Sequence, residues 1–99
     1  MLFDWDEANR QHISEHGVSS DEAEYVVAND PWDVSLQIVD GEERFLQVGA
    51  TNRGRVLVVI STVRGPLIRV VTAYDPSRRQ RVMYERWRGE NYGAEAGDP

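Results

Sequence analysis

The sequence predicts an α+β fold: an N-terminal helical hairpin packed on a four-stranded antiparallel sheet, followed by a C-terminal helix. Three observations carry this expectation. Apolar residues recur at three- and four-residue spacing up to about residue 29, the period changes to two from Trp32, and a helical period returns after Tyr74. The 99 residues suffice for one core only, because a chain of this size buries roughly 60 to 68% of its extended surface.

The opening "MLFDW" alternates briefly, which leaves room for a short extra N-terminal strand. Asp6 then caps a first helix with Glu7 in its first turn and Gly17 at its end. Ile13 is the apolar anchor of that helix, near Trp5 and Val18. Ser19 and Glu22 stand at capping-box spacing before a second helix, whose stripe is Ala23, Val26 and Val27 and which Asn29-Asp30-Pro31 stops. Both helices are too short to stand alone, so they should form a hairpin.

From Trp32 the segments "WDVSLQIV", "ERFLQVGA", "GRVLVVISTV" and "PLIRVVTAY" are separated by Asp40-Gly41, Asn52-Arg53-Gly54 and Arg64-Gly65, and so read as four hairpin-linked strands. The third is the most continuously apolar and should be central, whereas Pro66 starts a strand or sits at an edge. Strict alternation in the fourth puts Ile68, Val70 and Thr72 on one face and Leu67, Arg69, Val71 and Ala73 on the other. If Phe45 and Gln47 lie on the Arg69 side, that face is a polar platform with an aromatic, a surface suited to nucleic acid. Otherwise Arg69 simply solvates an open face.

Asp75 and Pro76 sit where a cap and a first helical residue would open the last helix. Hydrophobicity there points Val82, Met83 and Trp87 inward and Arg78, Arg81, Glu85 and Arg88 outward. Residues 1–88 form the expected single domain, and 89–99, which have no apolar period, read as a flexible acidic tail.

The net charge of −6 conceals an asymmetry: residues 1–43 contain twelve acids and one base, Arg10, whereas residues 44–88 contain ten arginines against Asp75 and Glu85. Every base is arginine, whose planar fork suits bidentate phosphate or carboxylate contacts. Exposed Arg78 and Arg79 in a first helical turn oppose the helix dipole by about 0.3 to 1 kcal/mol each. That cost is offset if they meet an anion such as an RNA phosphate or a partner's carboxylate. The remaining possibility is internal pairing with the acidic first half.

No cysteine is present, which excludes disulfides and thiolate metal sites. The N-terminus lacks a signal-peptide pattern and the longest apolar run, "VLVVI", is far below membrane length, so the expected location is cytoplasmic and away from membranes. His12 and His16 share a helical face, but Ile13 follows His12, the H-E-x-x-H pattern is absent, and local spacing fixes no third ligand, so neither metal nor other cofactor is expected. His16 beside Gly17 would cap the helix end or act as an acid or base. Cleavage of RNA by its own 2′-OH needs a base, an acid and a cation on the non-bridging oxygens. Arginine, histidine and the tyrosines Tyr74 and Tyr84 supply those types, whereas phosphate-loop, dinucleotide and serine-nucleophile motifs are missing.

The segments "FDWDEANRQHISEHGVSSDEAEYV", "GEERFLQVG" and "VRGPLIRVVTAYDPSRRQRVMYE" together resemble the BrnT-type toxin family over residues 3–88. Those are small bacterial ribonucleases of toxin–antitoxin pairs with a RelE-like fold. The resemblance implies a growth-inhibiting, metal-independent endoribonuclease that acts on RNA and inhibits translation. It also implies neutralisation by a cognate DNA-binding antitoxin, with operator DNA reached only through the joint complex. Phe3, Trp5 and Asp6 match the opening motif, His16 with Gly17 and Val18 the helix-ending one, and Glu42, Glu43, Arg44 and Phe45 the central strand. By similarity Arg69, Arg79, Tyr84 and His16 are the expected catalytic residues, and Arg64, Arg78, Arg81, Tyr74 and Phe45 the expected RNA- or partner-binding ones. Many relatives have arginine where Tyr74 stands and a basic pair where Val82 and Met83 stand. Fewer phosphate contacts weaken RNA binding. The alternative expectation is therefore a domain of weak or absent activity that docks an antitoxin or a transcriptional regulator through its arginine-rich helix.

Overall fold

A computed structural model describes residues 1–93. In chain order it contains α1 (Glu7–Ser14), α2 (Ser20–Ala28), β1 (Trp32–Val39), β2 (Glu42–Ala50), β3 (Val56–Arg64), β4 (Leu67–Tyr74), α3 (Arg78–Arg88) and a π-helical turn at Gly89–Gly93. Reciprocal side-chain caps set all three helix starts. Asp6 accepts from the Asn9 N–H at 3.1 Å while the Asn9 side chain accepts from the Asp6 N–H at 2.8 Å. Ser19 with Glu22, and Ser77 with Gln80, repeat the arrangement. The cap of α3 is therefore Ser77 and not Asp75. Asp75 is engaged elsewhere, by the Arg55 guanidinium at 3.1 Å.

The sheet is antiparallel in the order β1-β2-β3-β4, and both of its faces are covered. On one, Ile13, Val18, Ala23 and Val26 of the helical hairpin meet Leu57, Val59, Val70 and Ala73. On the other, Tyr84 and Trp87 of α3 pack against Val48, Val56, Val58 and Trp32. This explains why β3 is apolar without alternation: Leu57, Val58 and Val59 are all fully buried, from both sides. Gly49 lets α2 approach, since a Cβ there would stand 3.0 Å from Val26 Cγ1 and 3.3 Å from Pro31 Cβ.

Two expectations about facing are overturned. Val82 and Met83 are 56% and 45% exposed, so they do not pack inward. The inward stripe of α3 is Gln80, Tyr84 and Trp87, a four-then-three spacing in which an amphipathic tyrosine takes the buried position. In β4, Ser61 pairs with Val70 and Ile60 with Thr72, so Val71 is bulged out of register. Ile68, Val70 and Ala73 consequently face the hairpin core, while Arg69, Thr72 and Tyr74 share the opposite side.

At the β4 edge Phe3 forms a single parallel bridge with Ile68, supported by Asp4 N–H to Ile68 C=O at 2.8 Å and Ile68 N–H to Leu2 C=O at 2.9 Å. The short extra N-terminal strand is thus one bridge long. Beyond α3, where an unstructured tail was expected, residues 89–93 form the π-helical turn and Tyr92 stands edge-on to Trp87 at 5.8 Å. The rest of that expected tail, 94–99, lies outside the described residues.

Candidate functional site

The helix α3 covers only one end of its face of the sheet. Beyond it, where α1 overhangs the β4 edge, is a cleft of about 300 Å³ whose lining includes His12, Glu42, Arg44, Arg64, Arg69 and Val71. Period two brings the strand residues together: Glu42 and Arg44 are alternate residues of β2, and Arg64 and Arg69 reach the same side from β3 and β4.

Each arginine of the cleft is held by a carboxylate. Arg44 Nε donates to Glu42 Oε1 at 2.8 Å, and Arg64 Nη2 lies 3.0 Å from Glu42 Oε2. Arg69 grips Asp6 with both terminal nitrogens, at 3.1 and 3.2 Å, and reaches Asp4 at 3.4 Å. The Asp6 carboxylate that forks onto Arg69 also caps α1, which ties the helix to β4. The Arg69 hydrogen bond holds the Asp6 carboxyl below its ordinary range, and Arg44 does the same for Glu42. Conversely, Asp6 raises the Arg69 guanidinium, which remains a cation.

Along the rim runs a line of proton-bearing side chains. His12 Nε2 shares a 3.0 Å hydrogen bond with Thr72 Oγ1, the His12 and His16 rings are 5.4 Å apart, and the Tyr74 ring is 6.2 Å from His16. Thr72 and Tyr74 stand on this side because of the bulge at Val71, and the histidines are neighbours because His12 is in the last turn of α1 and His16 is in the turn that follows its cap.

Of the expected catalytic residues, Arg69 lines the cleft and His16 stands on its rim. Arg64 and Tyr74, expected to bind, are in the cleft and on the rim. Arg79 does not line the cleft; like Arg78 and Arg81 it is exposed on α3 and makes no ion pair among the described residues. Tyr84 lies away from the cleft. It is 5% exposed, anchors α3 in the core, and borders a different cleft with Asp30 and Arg88. Burial pushes its hydroxyl pKa up, away from proton exchange near neutrality. Phe45 is also displaced: it pairs with Ser61 and Leu36 on the hairpin side of the sheet, opposite Arg69, so no aromatic platform underlies that arginine. His12, Arg44, Glu42 and Thr72 join the site without having been singled out for it. The sequence signals for them are the i, i+4 spacing of His12 to His16 and the alternate spacing of Glu42 and Arg44.

Internal pairing and free charge thus both occur. The strand arginines Arg44, Arg64 and Arg69, and Arg55 in the β2–β3 connection, are neutralised by acids, all but Asp75 from the first half, whereas Arg78, Arg79, Arg81, Arg86 and Arg88 make no ion pair among the described residues. Among those residues no group of three or more His, Cys, Asp or Glu is placed to hold a metal ion. No described helix is long and apolar enough to cross a membrane.

A family model described as "Ribonuclease toxin, BrnT, of type II toxin-antitoxin system" matches residues 5–80. The chain belongs to the BrnT family. For a BrnT chain the helices, four-stranded antiparallel sheet and final helix are the RelE-like topology. The matched span contains the whole cleft and its histidine rim, together with Arg78 and Arg79, and stops before Arg81 and Tyr84. No curated protein matches the chain.

Proposed function

We propose that this BrnT chain is an endoribonuclease toxin that cleaves RNA without a metal, through attack of the ribose 2′-OH on the adjacent phosphate. The observation that carries the reading is the pair of imidazoles, 5.4 Å apart, over a cleft containing three arginines. His12 takes the proton from the 2′-OH, the 2′-oxygen bonds to phosphorus, the bond from phosphorus to the 5′-oxygen breaks, and His16 gives that oxygen a proton. The products are a 2′,3′-cyclic phosphate and a 5′-hydroxyl. Arg69, with Arg64 and Arg44, stabilises the charge that develops on the non-bridging oxygens. Tyr74 lies beside His16 and orients it.

The test is purified protein with single-stranded RNA, with and without EDTA. Cleavage should persist in EDTA, leave cyclic phosphate ends, and slow by about 10² to 10⁴ in His12→Asn. Arg69→Ala should slow it by about 10² to 10³. Loss in EDTA, or full activity in His12→Asn, removes the mechanism.

A second reading rests on α3. Its Arg78, Arg79 and Arg81, which make no ion pair among the described residues, flank the exposed apolar residues Val82 and Met83, a combination suited to an acidic, amphipathic partner segment. In this reading α3 docks the cognate DNA-binding antitoxin in the cytoplasm, and operator DNA is reached only through that complex. Arg79 belongs to this surface. If RNA stays intact while the antitoxin binds tightly, docking is the whole function.

A further inference from the structure

The two edges of the sheet are treated differently. At β4, Leu2 and Asp4 bond to Ile68 and occupy the edge. The edge at β1 has no neighbouring strand among the described residues, and seven of its eight residues are exposed. Natural edge strands are usually blunted by charge, proline or a bulge. A bulge lies between Asp33 and Ser35, but from Ser35 to Val39 the pairing with β2 is regular. That stretch, SLQIV, contains no charge, proline or glycine. Leu36 is 52% and Ile38 64% exposed. Between copies of a chain with net charge −6, contact is favoured where charge is locally absent.

We propose that β1 pairs with β1 of a second copy, antiparallel across a twofold axis at Gln37, so that two sheets join into one. Opposite residues of an antiparallel pair share a face, so the axis must fall on a residue and not between two. Gln37 is the midpoint of the regular stretch. In that register Gln37 meets its own copy, Leu36 meets Ile38, and Ser35 meets Val39, with no charged residue opposite another. Leu36 is already paired with Phe45 on β2, so the apolar strip runs Phe45, Leu36, then Ile38 of the other copy. This self-complementarity is what selects a second copy as the occupant. The ladder alone falls short of the roughly 1,200 Å² typical of stable interfaces, so the dimer is concentration-dependent. The cleft and α3 are on other surfaces, and the inference does not depend on their chemistry.

The test is disulfide trapping with sedimentation. Gln37→Cys should give a covalent dimer under mild oxidation, whereas Val63→Cys, 57% exposed on β3, should not. Wild type should dimerise reversibly, and Ile38→Lys should weaken the dimer about tenfold or more with an unchanged unfolding midpoint. The proposal is overturned if wild type is monomeric at every concentration, if the dimer survives Ile38→Lys, if Val63→Cys traps as readily, or if position 37 is shielded by the antitoxin and not by a second copy.

Discussion

Replacing Tyr84 separates a core role from a catalytic one. Its ring is 5% exposed, fills the space between Val48, Val56 and Val58, and stacks on Trp87 at 5.9 Å. Tyr84→Ala should cost about 3 to 5 kcal/mol, the usual range for removing a buried aromatic. At about 0.05 to 0.15 kcal/mol per residue, a domain of this length has roughly 5 to 15 kcal/mol in total, so this one truncation removes a large share. The melting temperature should fall by about 12 °C or more, at 4 to 8 °C per kcal/mol. Tyr84→Phe keeps the ring and loses only a hydroxyl that burial holds protonated. It should stay within about 0.5 kcal/mol of wild type and cleave RNA at the wild-type rate. Thermal unfolding and cleavage measured on the same preparations check both variants. A Tyr84→Phe protein that melts normally yet cleaves about 100-fold more slowly would return Tyr84 to the chemistry and refute its assignment to the core.

Acid should destabilise the fold through three carboxylates held below their ordinary pKa: Asp6 by Arg69, Glu22 by the Ser19 N–H, and Glu42 by Arg44. The unfolded chain binds more protons as pH drops, so this stability is complete above the unfolded carboxylate values, near 4, and is lost as pH falls through the folded ones. Urea midpoints should therefore decline from pH 6 toward pH 3, and less steeply in Glu22→Gln; equal slopes would remove Glu22 from the account. On α3, Val82→Ser with Met83→Ser, which removes the exposed apolar pair and leaves the charge of the helix as it is, should weaken capture of the antitoxin in a pull-down and leave RNA cleavage unchanged. Unimpaired capture would show that docking lies elsewhere.

What the sequence makes legible is what local chemistry decides. Ser19 and Glu22, or Asp6, specify a helix start because the capping partners are three residues apart. The same logic failed at Asp75, where a non-local competitor, Arg55 of the β2–β3 connection, takes the carboxylate, and the Ser77–Gln80 box starts the helix instead. Hydrophobicity alone points Val82 and Met83 inward, but the spacing of Gln80, Tyr84 and Trp87 sets the buried stripe of α3 and leaves both exposed. The bulge at Val71 has no signature in a string of β-branched residues, yet it decides that Thr72 and Tyr74 share a side with Arg69. The candidate site inherits that difficulty. Arg69 was evident as a charge in an apolar strand, but His12 acquires its meaning only through Thr72, 60 residues away.

The two populations of arginine imply a division of labour. In the cleft, Arg44, Arg64 and Arg69 face Glu42, Asp4 and Asp6, so the local charge is close to balanced and, on the proposed reaction, would attract RNA only at short range. Those ion pairs fix the guanidiniums in place, which is the condition for stabilising a charge that would form during the proposed reaction. On that proposal long-range attraction would come from α3, where five arginines stand beside a single acid, Glu85. Encounter with RNA should then depend on salt through the helix, while the chemical step depends on the cleft. If the proposed cleavage in the cleft and the proposed docking on α3 both hold, an acidic antitoxin on α3 need not reach the cleft to silence the toxin. By neutralising the helix it would remove the field that, on this proposal, brings RNA to a site whose own arginines are already paired.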